Sequence, residues 1–270
     1  MAIASRLAKA EPALFDKVQR STSALLKTMA DKGHNPPYIA TVLFRNAYKV
    51  LKTRDPYLSL KNEYNRKVLS LYKYVKPLLK KSKNTLEFSI KLALAGNIID
   101  FGILENFDLK KTLVETLKIS IPLKKMIEIT NRIKFSEIIL YIADNAGEIG
   151  FDYFLLKEIW KLNPKAKLYL SVKKTPIIND ATSEDASFFK LQKFAKIIDT
   201  GDSWIGTHPQ FCSDKFKRIF AGAGLIISKG QANYESLDEL NDPRILFLLK
   251  AKCPVVSRNL RVKLNDVVVK

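Results

Sequence analysis

Between residues 138 and 229 the chain carries three short apolar runs, each leading to a polar motif, and this pattern constrains the fold more than any other feature. Ile138-Ile139-Leu140-Tyr141-Ile142-Ala143 ends at Asp144. Lys167-Leu168-Tyr169-Leu170-Ser171-Val172 is followed by a loop through Pro176 to Asp180, and Gly224-Leu225-Ile226-Ile227-Ser228 ends at Lys229. A weaker run, Lys196-Ile197-Ile198-Asp199-Thr200, stops at Gly201. Runs this short, β-branched and without helical periodicity read as strands of a parallel sheet covered on both faces. Helical spacing lies between them: Phe151, Phe154, Leu155, Ile159 and Leu162 fall on one stripe before Asn163-Pro164. The pattern predicts an α/β fold with a Rossmann-like, mostly parallel sheet and helices on both faces.

The first 133 residues follow another rule. Leu14, Val18, Leu25 and Met29 make one helical stripe, stopped by Gly33. Pro36-Pro37 open a second, with Ile39, Leu43 and Ala47 inward, and Tyr64, Val68, Leu71, Val75 and Leu79 make a third. Thr85 to Ala95 and shorter stretches around Leu113 and Met126 complete the section. The expected organisation is a helical domain or cap over residues 1–133 and an α/β catalytic domain over 134–270, joined in one body or closely apposed.

In open α/β sheets ligands bind beyond the carboxyl ends of the strands. Asp144-Asn145, Asp180 and Lys229-Gly230 all fall at that rim. Two carboxylates and an amide carbonyl suit a hard divalent cation such as Mg²⁺ or Mn²⁺, which takes one or two carboxylates and leaves positions for water and phosphate oxygens. A lysine suits a phosphoryl group, and the amides of Gly230, Gln231 and the helix after Gly147 would add donors. The set points to metal-dependent phosphate chemistry. Asp144 would act as a ligand or as the nucleophile of a phospho-aspartate path; both stay open, although Asp-Asn-Ala lacks the second aspartate of an Asp-x-Asp pair.

Composition sets outer bounds. A chain of 270 residues with 47% hydrophobic and 27% charged residues can hold one large core or two smaller ones. No apolar run approaches the roughly 20 residues that span a bilayer, so no membrane partner is expected. Two cysteines, Cys212 and Cys253, make neither a disulfide framework nor a CxxC metal site, which suits a cytoplasmic setting. The net charge of +19 would concentrate anions of any kind. Its lysines are scattered over nearly every helix with no basic stripe interleaved with aromatics, so nucleic acid is not the expected partner and the charge alone decides no function. The phosphate chemistry read at the strand ends makes a small phosphorylated metabolite the expected partner. Nothing fixes the oligomeric state.

Asp144-Asn145-Ala146-Gly147-Glu148, Pro176-Ile177-Ile178-Asn179-Asp180-Ala181-Thr182 and Lys229-Gly230-Gln231-Ala232-Asn233-Tyr234-Glu235 together resemble the family long called domain of unknown function 89, the metal-dependent damage-control phosphatases. Gly96-Asn97-Ile98-Ile99-Asp100-Phe101-Gly102 and Phe247-Leu248-Leu249-Lys250-Ala251-Lys252-Cys253-Pro254 extend the likeness, whose order and spacing suit the small archaeal-type branch. The resemblance implies hydrolysis of sugar phosphates and related metabolites with Mg²⁺, Mn²⁺, Co²⁺ or Ni²⁺. It implies Asp144, Asn145 and Asp180 as metal ligands, Lys229 as the lysine on the substrate phosphate, and Asn97, Glu148 and Glu235 near the pocket. One departure stands out: relatives of that branch open with a Cys-x-x-Cys element, and this chain opens Met1-Ala2-Ile3-Ala4-Ser5.

Each residue alone has a plainer role. Asp180 suits a helix N-cap, Asp144 and Asn145 suit a turn, and Glu148 and Glu235 suit first-turn carboxylates. Asn97 suits a helix end, with Asp100 capping the next helix. For Asp144, Asn145, Asp180 and Lys229 the predicted convergence and the family likeness argue for a site; for Glu148 and Glu235 the first-turn role stays open. Two other classes compete. A Rossmann-like methyltransferase would want a glycine-rich turn where Asp144-Asn145-Ala146-Gly147-Glu148 offers one glycine. A basic nucleic-acid-binding module would bind without Asp144 or Asp180.

Overall fold

The computed structural model describes residues 1–29, 32–98 and 114–270. All four expected strands are present: β1 (Ile138–Ile142), β2 (Lys167–Val172), β3 (Lys196–Asp199) and β4 (Leu225–Lys229). Two further strands follow, β5 (Ile245–Lys250) and β6 (Val267–Val269). The sheet order is β3-β2-β1-β4-β5-β6, parallel throughout except at the β5–β6 pair. After β1 the chain moves outward through β2 and β3, then returns to the far side of β1 as β4. The carboxyl ends of β1 and β4 therefore flank the point where strand order reverses, the crevice such sheets use for ligands.

Strand alternation sorts the side chains into two cores. Ile139 and Tyr141 of β1, Leu225 and Ile227 of β4, and Leu246 and Leu248 of β5 pack in one cluster. Leu140, Ile142, Ile226, Phe247 and Leu249 pack in the other, with Phe216, Phe220, Tyr234 and Val256 of the helices on that face. Burial on both faces is why the strands read as unbroken apolar runs.

In the amino-terminal section lie α1 (Ala2–Leu7), α2 (Pro12–Met29), α3 (Pro36–Leu51), α4 (Leu58–Lys81), α5 (Thr85–Ile98) and α6 (Leu123–Phe135). Asn35 caps α3 through a 3.0 Å bond from the Tyr38 N–H, and Pro36-Pro37 start its first turn. The expected stretch around Leu113 and the residues Ile99, Asp100, Phe101 and Gly102 lie outside the described residues. Beyond β1 come α7 (Glu148–Leu162), α8 (Ser183–Phe188), α9 (Asp214–Gly222), α10 (Gln231–Leu237) and α11 (Pro254–Leu260).

Helical section and sheet share one interior. Tyr64, Val68, Leu71, Ile90, Leu92, Leu94, Met126, Ile129 and Ile133 lie in the same cluster as Ile139, Tyr141 and Ile227. Val18, Ala47, Tyr48 and Leu51 pack on Ile177 and Ile205 of the strand-end loops. The Ile178 N–H donates to Tyr48 Oη at 2.9 Å and the Ile205 N–H to Thr41 Oγ1 at 2.8 Å. The helices thus extend over the carboxyl rim of the sheet. Among the described residues no helix is long and apolar enough to cross a membrane.

Candidate active site

Two backbone bonds stitch the first two polar loops together. The Ala181 N–H donates to Asp144 O at 2.8 Å and the Ala146 N–H to Asn179 O at 2.9 Å, making an antiparallel bridge that sets Asn145 opposite Asp180. Residues directly opposite in such a bridge carry Cβ atoms about 5 Å apart on one side of the ribbon. Asp144, Asn145 and Asp180 are brought together by backbone pairing, before any ligand is considered.

The third loop closes on the same point. Gly230 adopts φ 80°, ψ 165°, a region essentially reserved for glycine. A Cβ there would lie 1.9 Å from Asp144 Oδ2, so the carboxylate rests on the glycine backbone. From the helical side, Gly96 of α5 permits the closest approach to α7, since a Cβ would meet Glu148 Cγ at 2.9 Å and Glu148 Cα at 3.2 Å. That approach carries Asn97 into the site. Its Nδ2 donates to Asp144 Oδ2 at 3.0 Å and to Glu148 at 3.2 and 3.3 Å, while its Oδ1 accepts the Lys250 N–H at 2.9 Å. Asn145 Nδ2 donates to Asp144 Oδ2 at 2.8 Å and Glu148 Oε2 at 3.1 Å. With its amide nitrogen engaged, Asn145 has its carbonyl oxygen as the remaining functional atom.

Asp144 and Asn145 are half-buried, while Glu148 and Asp180 are buried. Burial raises the Asp144 carboxyl well above the ordinary carboxylate range, and Glu148 and Asp180 push it in the same direction; Lys252 and Lys229 oppose them. Asp180 is raised to about 6 by burial, against the pull of Lys173 and Lys61. The site thus gathers negative charge where it is poorly hydrated, which is the condition a bound cation relieves. Among the described residues no group of three His, Cys, Asp or Glu forms a metal cluster. Two carboxylates and an amide suit Mg²⁺ or Mn²⁺, which draw remaining ligands from water and phosphate, better than zinc.

Three expected residues sit differently from their sequence reading. Lys229 is the last residue of β4, so alternation turns it with Leu225 and Ile227 into the helical layer. It is 0% exposed, and its ammonium donates to Ala93 O at 2.9 Å, Glu148 Oε1 at 2.7 Å and Asp152 Oδ1 at 2.6 Å. All three donors are used beneath the rim. The Gly230 N–H, expected to face a phosphate, donates to Leu248 O at 3.0 Å, extending the β4–β5 pairing. Glu235 is bonded to Gln231 Nε2 at 2.9 Å, and Gln231 Oε1 accepts the Lys252 N–H at 2.8 Å; no described hydrogen bond joins Glu235 to Asp144 or Asp180. The amides after Gly147 are also engaged: the Glu148 N–H donates to Ala146 O at 2.8 Å, and the Ile149 N–H to Asn145 O at 3.1 Å. The Gly147 N–H itself donates to Asn65 Oδ1 at 2.7 Å.

Several contributors were given no role in the sequence reading, although Asn233 and Lys252 lie within two of its motifs. Lys173, buried at the end of β2, reaches Asp180 Oδ2 at 3.5 Å and donates to Gly206 O. Asn233 donates to Lys229 O at 2.8 Å and Ala143 O at 3.2 Å and accepts from Thr207 Oγ1 at 2.8 Å, tying three strand-end loops together. Lys252 lies half-buried near enough to Asp144 to favour its ionised form. Asp152 was findable, because it stands four residues after Glu148 and so on the same helix face. Lys173 carried no local signal in a lysine-rich chain, and Lys252 was marked only as a member of the stretch ending at Pro254.

The damage-control phosphatase ARMT1-like domain matches residues 3–268. The damage-control phosphatase PH1575 of Pyrococcus horikoshii is 38% identical over 253 residues, covering 91% of this chain and 86% of that one. A damage-control phosphatase of Archaeoglobus fulgidus is 33% identical, covering 94% and 90%. The uncharacterised protein MJ0202 of Methanocaldococcus jannaschii is 36% identical, covering 92% and 83%. The crystal structure of the P. horikoshii protein, described as a DUF89 family protein, superposes with a TM-score of 0.87 at 34% identity, covering 98% of this chain and 92% of that one. The chain therefore belongs to the ARMT1-like (DUF89) damage-control phosphatase family.

Proposed function

We propose that this chain is a divalent-metal-dependent phosphatase acting on phosphomonoesters of small metabolites such as sugar phosphates. The observation that carries the reading is the backbone bridge that sets Asp144, Asn145 and Asp180 side by side, with the negative charge it gathers. Those three residues would hold the ion through Asp144, the Asn145 carbonyl oxygen and Asp180. When bound, the ion supplies Lewis acidity toward a phosphoryl oxygen.

The chain's own residues supply the rest. Asp144 Oδ2 is fixed by two amide donors and packed on Gly230, which favours its use as a ligand over attack on phosphorus. Direct hydrolysis follows: a water oxygen bonds to phosphorus, the ester P–O bond breaks, and the alcohol leaves with a proton. Lys252 contributes a cation beside Asp144 for the charge on the phosphoryl oxygens. Lys229 anchors Glu148 from below and so holds the Asn145 amide in place. Free Cys212 and Cys253 suit a cytoplasmic setting.

Phosphate release from p-nitrophenyl phosphate and a sugar-phosphate panel tests this, metal-free and with Mg²⁺, Mn²⁺, Co²⁺ or Ni²⁺. Turnover that needs metal and falls by about a hundredfold or more in Asp144→Ala is the expected result. Turnover independent of metal, or unchanged in both Asp144→Ala and Asp180→Ala, would remove the assignment.

A further inference from the structure

Asp152 lies one helical turn beyond Glu148 on α7, and the two carboxylates grip the same ammonium. Glu148 is 2% exposed, and Asp152 and Lys229 are fully enclosed. Asp152 Oδ1 accepts both Lys229 Nζ at 2.6 Å and Tyr141 Oη at 2.7 Å, while Oδ2 has no partner among the described residues. An asparagine would satisfy the same two donors through its carbonyl oxygen. Hydrogen bonding alone therefore gives no reason for an acid here, and a carboxylate with one oxygen unmet in a dry interior is costly. Its charge is the feature that needs an explanation.

The neighbours supply one. Lys229 anchors Glu148, and Glu148 accepts the side-chain amides of Asn97 and Asn145. This chain of contacts fixes the Asn145 amide from below, but it also places an ammonium under the seat read as cationic. We propose that Asp152 is a positioning residue: its negative charge cancels that of Lys229, so that Lys229 can hold Glu148 and the Asn145 amide without repelling a divalent cation above them. The inference rests on the reading of Asp144, Asn145 and Asp180 as the metal seat.

The test is direct Mn²⁺ titration of the full chain, with melting temperature and phosphate release measured beside it. Asp152→Asn keeps both hydrogen bonds and should fold, with Mn²⁺ affinity lowered by about tenfold, because one negative charge is lost from a poorly hydrated interior beneath the seat. Tyr141→Phe removes a neutral donor from the same oxygen and should leave affinity within about twofold, since no charge changes. The double variant Asp152→Asn, Lys229→Met restores the charge balance, so it should regain Mn²⁺ affinity while turnover stays low for want of the Glu148 anchor. In it Glu148 still accepts the Asn97 and Asn145 amides, and a melting temperature close to that of Asp152→Asn shows that the comparison is made between folded proteins. Unchanged affinity in Asp152→Asn, equal losses in Asp152→Asn and Tyr141→Phe, or a double variant that binds Mn²⁺ as weakly as Asp152→Asn would each overturn the inference. Asp144→Ala separates the two levels. If it binds Mn²⁺ like the wild type, the seat itself is wrong; if it loses Mn²⁺ while Asp152→Asn does not, only the role of Asp152 falls.

Discussion

Asp144 stands where a carboxylate is hard to keep ionised, half-buried between Glu148 and Asp180, and the fold holds it there with two asparagine amides. Such a residue is costly to the empty protein and useful to the loaded one. Asp144→Asn should therefore melt at a higher temperature than the wild type in metal-free buffer at pH 7.5, and should lose the rise that Mn²⁺ gives the wild type. Differential scanning fluorimetry with and without Mn²⁺ reads both. Gly230 makes the complementary case. Gly230→Ala forces a Cβ against Asp144 Oδ2 in a backbone region of positive φ, and should cost about 2 kcal/mol or more in denaturant unfolding. At this scale the rim position of Asp144-Asn145 and Asp180 was legible, because the first pair directly follows one apolar run and Asp180 closes the loop after another. The surroundings of Lys229 were not, because a one-residue difference in where β4 ends decides whether its side chain reaches the rim or the interior.

Among the elements, the contact of α5 with α7 is the joint between the helical section and the site. Gly96 is its hinge of closest approach, where a side chain would strike both the backbone and the side chain of Glu148. Gly96→Val should overpack that joint at a cost of about 1–3 kcal/mol and weaken Mn²⁺ binding, because Asn97 and Glu148 move together. Chemical denaturation and Mn²⁺ titration of the same variant check the two halves of this statement. The strands β1, β2 and β4 were legible because burial on both faces gives nearly unbroken apolar runs, whereas the edge strand β3 offers only Ile197 and Ile198 between exposed Lys196 and Asp199 and reads more weakly. The run Ile245 to Leu249 carries the same signal and is β5, whereas the three-residue β6 is too short for any pattern to separate from a loop. The helix stripes were legible too, but not their placement over the rim, which depends on tertiary bonds such as Ile178 N–H to Tyr48 Oη.

For the whole molecule, the +19 net charge and the buried acids pull in opposite senses. The positive field should draw an anionic ester toward the crevice, so KM for a sugar phosphate should rise severalfold between about 0.05 and 0.5 M salt while kcat changes little, as screening predicts. Steady-state kinetics across that range tests it. pH acts through the acids. The Asp180 carboxyl is raised to about 6, above its unfolded value, so its contribution to stability is full below about pH 4 and is lost as pH rises through about 6. On the proposed reading a divalent ion would bind the ionised form and offset that loss. The Mn²⁺-induced rise in melting temperature should therefore be small at pH 5 and larger at pH 7.5; the opposite trend would show that the ion binds elsewhere.

The central claim is that Asp144, Asn145 and Asp180 hold one divalent ion, and anomalous diffraction from crystals grown with Mn²⁺ tests it most directly. The account predicts a single strong peak about 2.1 Å from oxygens of Asp144, Asn145 and Asp180, absent in crystals of Asp144→Ala. A peak at other residues, or Mn²⁺-dependent phosphate release from crystals of protein with no peak at this seat, would contradict it.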